Sequence, residues 1–314
     1  MHRILLVTLA ACTSEPVLDD ASPDVPMDPE PAVADTTAPR VVATTPDHLD
    51  DGVLADTIVT ITFSEAMDTA SVEAALEVTG EPSFDWNTSA TELSIELPLT
   101  YADAPAEALV YTVTLDEEAT DEAGNGLEQP LRLEFRTAVR HTTVLANHDS
   151  LFGNRYESSP DTRYSWIGAG DGSSGTLLWG VGSWIIADLP SSAELVDFEA
   201  VTLTSELVRV DNDPAGDFGA MRVERVSFDS FTDGFVAPSL GVNPTPLIPD
   251  GVPLAQGDAV EADLTPIFGE AWDDGAPLFQ IRVAFEDSPN TDGHQDAAYM
   301  SMGSTVLTVS SLTR

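Results

Sequence analysis

The sequence predicts an all-β protein of two successive sandwiches that follow an acidic leader. Three observations carry this expectation. Apolar residues recur at every second position in short runs, Asp, Gly and Pro separate the runs, and helical periodicity is confined to Ser71 to Leu76 and Pro266 to Trp272. A period of two sends one set of side chains into a core and the other into water. Short alternating runs with turn residues between them are the pattern of a sandwich.

The chain opens with Arg3, an apolar run from Ile4 to Ala11, and the ending Leu9-Ala10-Ala11-Cys12. A charged start, an apolar middle and small residues before a cut follow the plan of a secretory signal. The ending resembles the lipobox of bacterial lipoproteins. That resemblance implies removal of residues 1–11 and a lipidated Cys12 as the first mature residue. Two or three acyl chains anchor stably where one does not. Thr13, rather than Asp, follows the cysteine; by analogy with proteobacterial sorting this points to the outer membrane. Cys12 is the single cysteine, so no disulfide can form within the chain. No other stretch has the roughly 20 apolar residues that a membrane helix needs.

Residues 12–38 read as a disordered tether. Glu15, Asp19, Asp20, Asp24, Asp28, Glu30 and Asp35 lie among Pro16, Pro23, Pro26, Pro29 and Pro31, with no base and no aromatic residue. Such a segment cannot bury enough apolar surface to fold, and its prolines and like charges keep it extended.

Residues 39–138 form the first sandwich. Val59, Ile61 and Phe63 alternate with threonines, and Leu93, Ile95 and Leu97 with Ser94 and Glu96. Leu109, Tyr111, Val113 and Leu115 form a third row, and Leu131, Leu133 and Phe135 a fourth. A helical turn is expected over Ser71 to Leu76, with Ser64 or Asp68 at its start. The strings Thr37-Ala38-Pro39-Arg40-Val41, Ile61-Thr62-Phe63-Ser64-Glu65-Ala66-Met67-Asp68 and Asp121-Glu122-Ala123-Gly124-Asn125 occur in that order, followed by Phe135-Arg136-Thr137. Together they resemble bacterial Ig-like domains of the S-layer (SbsA) type. The resemblance implies a spacer or adhesion module and no catalysis.

Residues 139–314 form a second β-rich unit. Its strand candidates are Ser183 to Ala187, Ala200 to Val210, Met221 to Phe228, Leu278 to Phe285 and Ser304 to Leu312, with a Pro- and Gly-rich excursion from Thr232 to Asp263. Trp166-Ile167-Gly168-Ala169-Gly170-Asp171-Gly172, Ile186-Ala187-Asp188-Leu189-Pro190 and Ala200-Val201-Thr202-Leu203-Thr204 are similar to DNRLRE-type domains, which implies a jelly-roll-like sandwich akin to carbohydrate-binding modules. Gly182-Ser183-Trp184 replaces the basic residue usual before the Ile186 strand.

The 54 acidic residues face only 12 basic ones, all arginine, for a net charge of -42. This disfavours nucleic acid, which requires positive charge facing phosphate, and adsorption to anionic lipid. Three readings of the acidity stay open: a solvated self-repelling surface, adaptation to salt, and capture of calcium, which prefers carboxylate oxygens.

The motifs define few sites. None of His2, His48, His141, His148 and His294 lies in a metal-protease pattern, and no Gly-x-Ser-x-Gly elbow is present. The run Gly168 to Gly172 reads as a turn, because no Lys follows it to cradle phosphate. Asp211-Asn212-Asp213-Pro214-Ala215-Gly216-Asp217 starts like an EF-hand loop but lacks the oxygen ligand at its fifth position and the Glu at its twelfth. Asp287 and Asp292 bracket a second oxygen-rich turn, with Asp296 beyond it. Asp211, Asp213, Asp217, Asp287 and Asp292 are therefore the calcium candidates, and Trp166 is the candidate surface ring for stacking a sugar. The carboxylates are too many to single out a catalytic pair, whose environments must push their pKa values apart. The expectation is a non-enzymatic, lipid-anchored envelope protein with a structural or adhesive role, in contact with polysaccharide or another envelope protein. A calcium-dependent carbohydrate-binding module is the alternative, and a polysaccharide hydrolase a more distant one.

Overall fold

The computed structural model describes residues 34–104, 107–157, 165–240, 244–287, 290 and 292–314. The lipobox with Cys12 and nearly all of the tether lie outside the described residues.

The first unit contains β1 (Val41–Thr45), β2 (Val59–Phe63), α1 (Thr69–Ala75), β3 (Leu76–Val78), β4 (Ser83–Trp86), β5 (Glu92–Glu96), β6 (Val110–Leu115) and β7 (Leu131–Arg136). One antiparallel sheet runs β1-β2-β5-β4 and the other β3-β6-β7. Their inner faces share one core, to which Ile61, Phe63 and Ile95 contribute from one side and Val113, Leu133 and Phe135 from the other. The period-two rows therefore point as the sequence predicts, with one exception. Leu109 is 38% exposed, because β6 begins one residue later and Leu109 is left outside its pleat. Of the two candidate caps for the short helix, Asp68 takes the role: its side chain accepts from the N–H groups of Ala70 and Ser71. Ser64 instead accepts from the Arg40 N–H through its Oγ.

The second unit contains β8 (Val139–Val144), β9 (Gly153–Tyr156), β10 (Trp166–Asp171), β11 (Leu177–Ile185), β12 (Leu195–Asp211), α2 (Pro214–Phe218), β13 (Met221–Arg225), β14 (Thr245–Ile248), β15 (Ala259–Asp263), α3 (Thr265–Asp273), β16 (Leu278–Phe285), β17 (Ala297–Ser301) and β18 (Val306–Thr313). They form an 11-stranded sheet in the order β14-β13-β16-β11-β10-β17-β12-β18-β8, with β15 added to β12 and β9 to β11. The 17-residue β12 organises it. Its first part pairs with β18 and β15, and its last part with β17 after a register shift between Leu207 and Arg209. Such a shift bends a strand, and here it carries β12 from one half of the curled, jelly-roll-like sheet to the other. Trp184, Phe268, Phe279 and Ile281 lie in the core between them.

Two expectations from the sequence need correction. The run from Gly168 to Gly172 is not a turn throughout, since β10 continues through Asp171 and pairs with β17. Its glycines permit close backbone approach: a Cβ on Gly170, which has φ +134, would lie 2.0 Å from the Asp296 carbonyl oxygen. The excursion from Thr232 to Asp263 also contains two strands, β14 and β15. Pro246 disguised β14, and it is tolerated because β14 is the edge of its sheet.

The Trp184 indole is fully buried between Phe152 and Phe279, and its Nε1 has no hydrogen-bond partner. Trp184→Ala is expected to cost about 3–5 kcal/mol, the usual range for emptying a large aromatic site. Trp184→Phe, which also removes the unsatisfied N–H, should cost markedly less. Urea unfolding of both variants measures the difference.

Candidate functional site

The pairing of β10 with β17 sets Gly170 opposite Ala297, so Asp171 and Asp296 face each other where the ladder ends. The Asp171 N–H donates to the Asp296 carbonyl oxygen at 2.8 Å, and the Asp296 N–H donates to Asp171 Oδ1 at 3.3 Å. Both residues are buried, at 0% and 1% exposure, and Oδ2 of each has no partner. Like charges opposite one another in a sheet repel, and buried polar atoms without partners are costly. Burial holds the Asp171 carboxyl above the usual carboxylate range, and the charges of Asp296 and Asp292 add to the effect. The Asp217 carboxyl is also raised, by desolvation first and then by Asp296, Asp213 and Asp292.

Local structure explains how these acids converge. Asp213 caps α2, accepting from the Gly216 N–H. Asn212, at φ 54, donates from Nδ2 to the Gln295 carbonyl at 2.9 Å and ties this turn to the segment before β17. Of the five calcium candidates read from the sequence, Asp292 acts through its charge on Asp171 and Asp217, and Asp213 acts on Asp217. Asp211 is engaged elsewhere, accepting from Arg209 Nε and Gln295 Nε2. Asp287 is exposed and contributes its backbone N–H to the Phe218 carbonyl. Sequence reasoning placed Asp296 only beyond the second oxygen-rich turn and missed Asp171 and the pairing of the two. The available signal was an acid directly adjoining a run of small and apolar residues, Ile167 to Gly170 in one case and Ala297 to Met300 in the other.

A second acidic cluster lies in the first unit. Carboxylate oxygens of Asp35, Glu65 and Asp121 lie within 4.8 Å of one another. Desolvation, then the charges of Asp35 and Asp121, raise the Glu65 pKa. Asp121 differs because it organises its own turn. Its Oδ1 accepts from the N–H groups of Ala123 and Asn125, both at 2.8 Å, and its Oδ2 from Asn125 Nδ2 at 2.7 Å. The Asn125 side chain, first among these bonds, pulls the Asp121 pKa below the usual value of 3.8. The Asp68 N–H donates to the Thr120 carbonyl and Met67 bridges Asp121, so the strings ending at Asp68 and beginning at Asp121 meet in space.

Trp166 is 37% exposed and packs edge-on to Tyr299, with ring centroids 5.6 Å apart. Arg209 covers Tyr299 at 5.4 Å, and the Tyr299 hydroxyl meets that of Tyr156 at 2.8 Å. Burial, then the bond to Tyr156, pushes the Tyr299 pKa up. The arrangement offers an exposed indole packed on a buried phenol whose ring Arg209 also contacts. Trp184, by contrast, belongs to the core.

Residues 35–137 match the bacterial Ig-like domain family. The Ig-like domain thus accounts for both sheets of the first unit. Among solved structures, the chain is similar to the S-layer protein rSbsC(31-844), with 13% identity and a TM-score of 0.24, over 72% of this chain and 32% of that one. It spans about a third of the length of that S-layer chain. It is also similar to SGBP-B from a complex xyloglucan utilization locus in Bacteroides uniformis, with 10% identity and a TM-score of 0.24, over 88% of this chain and 73% of that one. A two-domain protein of unknown function from Bacteroides fragilis shares 8% identity at a TM-score of 0.21, over 82% of this chain and 84% of that one. No curated protein matches the chain. No helix among the described residues is long and apolar enough to cross a membrane.

The Asp121 turn has a pH signature. A carboxylate whose folded pKa is depressed stabilises the fold above its unfolded value and loses that contribution as pH falls through the folded one. The Ig-like domain should therefore lose stability below about pH 4. Asn125→Ala, which removes the largest cause of the shift, should flatten that loss in acid unfolding followed by tryptophan fluorescence.

Proposed function

We propose that the protein is a lipid-tethered, non-enzymatic envelope component that holds two β-modules in fixed relation outside the cytoplasm. Its role is structural or adhesive. The observation that carries this reading is the joint between the units. Only residues 137 and 138 separate β7 from β8. The Arg140 N–H donates to the Ala102 carbonyl at 2.8 Å. The Arg140 guanidinium binds both oxygens of Glu199 in β12, reaches Asp103 of the Ig-like domain, and lies 5.4 Å from the Tyr101 ring centre. A Cβ on Gly52 would sit within 2.8 Å of Val196 and 2.9 Å of the Arg314 side chain. A short connection braced by a bidentate arginine suits a spacer whose modules must not swing. The lipobox resemblance at Cys12 supplies the tether, and the Ig-like domain fits a spacer or adhesion role.

The partner is polysaccharide or another envelope protein. A glycan is favoured by the exposed Trp166 ring, which packs on Tyr299 as Arg209 does, and by the resemblance of the second unit to DNRLRE-type modules.

Three measurements test the reading. Cys12→Ser should move the protein from the membrane fraction to the soluble extract. Retention in the membrane fraction would remove the lipid tether from the proposal. Arg140→Ala should broaden the interdomain distance distribution in small-angle scattering, where the wild type gives one narrow arrangement; an unchanged profile removes the braced joint. On a glycan array, Trp166→Ala should abolish any signal that the wild type gives.

A further inference from the structure

We propose that Asp171 and Asp296 are the inner ligands of a calcium site in the second unit, with Asp217, Asp213 and Asp292 around its mouth. The inference rests on the buried pair and holds whether or not the envelope reading does. Acidic clusters are common on so acidic a chain, and most need no ion because water solvates them. This pair is different. Its residues are 0% and 1% exposed, each has an Oδ2 with no partner, and the backbone ladder fixes them face to face. The fold therefore encloses two acceptor atoms that neither protein nor bulk solvent satisfies. A cation satisfies both atoms and cancels the repulsion between them.

The donor set selects the ion. The charges that act most strongly on Asp171 and Asp217 are all carboxylates. Oxygen-only donors suit hard cations, and calcium accepts six to eight oxygens at irregular angles. Zinc would call for His or Cys. Magnesium demands near-octahedral order and keeps its waters, which an inner pair closed to solvent does not favour. The site also joins three segments that no disulfide can link: the end of β10, the α2 turn and the approach to β17. An ion there would fasten the loops at one end of the second unit.

The test uses thermal unfolding of the purified chain in calcium chloride and in chelator, with calorimetric titration of calcium. Calcium at about 100 times its dissociation constant should shift the unfolding equilibrium roughly 100-fold. Asp171→Asn and Asp296→Asn preserve shape and remove charge, so both should abolish most of this shift. Glu65→Gln, in the separate cluster of the Ig-like domain, should leave it intact. Should either inner variant fail to fold, Asp217→Asn and Asp292→Asn at the solvent-facing rim provide the readout: each should weaken calcium binding about tenfold without lowering stability in chelator. The proposal is overturned if calcium produces no shift, or if the shift survives in Asp171→Asn. It is overturned too if the Asn variants gain stability at neutral pH while the wild type takes up no calcium, which would identify a pair sharing a proton.

Discussion

The structure depends on how a chain with 54 acidic and 12 basic side chains neutralises, solvates or bonds its carboxylates. No lysine is present and no disulfide is possible within the chain, so arginine is the one strong cation available at any internal joint. Its positions follow that scarcity. Arg140 braces the two units. Arg225, 7% exposed, binds Asp274 and lies near Glu270, pinning α3 against the sheet. Arg282 binds Glu224 and donates to the carbonyls of Phe235 and Ala237, fixing the turn beside β16. A charge pair held this way is worth little on an open surface and more where water is partly excluded.

Most acids that structure the backbone use a cheaper device, the N–H groups of a turn. Asp68 and Asp213 cap helices, Asp121 closes its turn, and Asp263 accepts from the Thr265 N–H and hydroxyl, which lowers its pKa. Dipolar N–H groups stabilise a carboxylate without any cation. This explains why two clusters that look alike in composition differ in chemistry. In the Ig-like domain, Asp121 is already saturated by its own turn. In the second unit, the Asp171 carboxylate receives the Asp296 N–H through Oδ1, while Oδ2 of both Asp171 and Asp296 is buried without a partner.

Architecture was legible in the sequence wherever one strand face is buried and the other wet. Val59 to Phe63 and Leu131 to Phe135 show the period plainly because their outward positions are Thr, Arg and Glu. Legibility failed where both faces are covered. β10 is buried over residues 167–171, so alternation disappears and its glycines imitate a turn. β17 is buried over residues 297–300 and shows no period. The same failure hid the acid pair. Proximity in sequence grouped Asp211 with Asp213, and Asp287 with Asp292. The ladder between β10 and β17 instead joins Asp171 to Asp296, 125 positions away. Residue type signalled carboxylate chemistry, and only strand register could say which carboxylates share a space.

Strand register also links the acid pair to the aromatic surface. Trp166 and Asp171 are the two ends of β10, and Tyr299 and Asp296 lie correspondingly along β17 and its approach. Gln295 donates from one nitrogen both to Asp211 and to the Tyr299 hydroxyl, so the segment carrying Asp296 is bonded directly to the residue on which Trp166 rests. Any constraint placed on Asp296 therefore reaches the exposed ring through two covalently continuous strands and one hydrogen-bonded side chain.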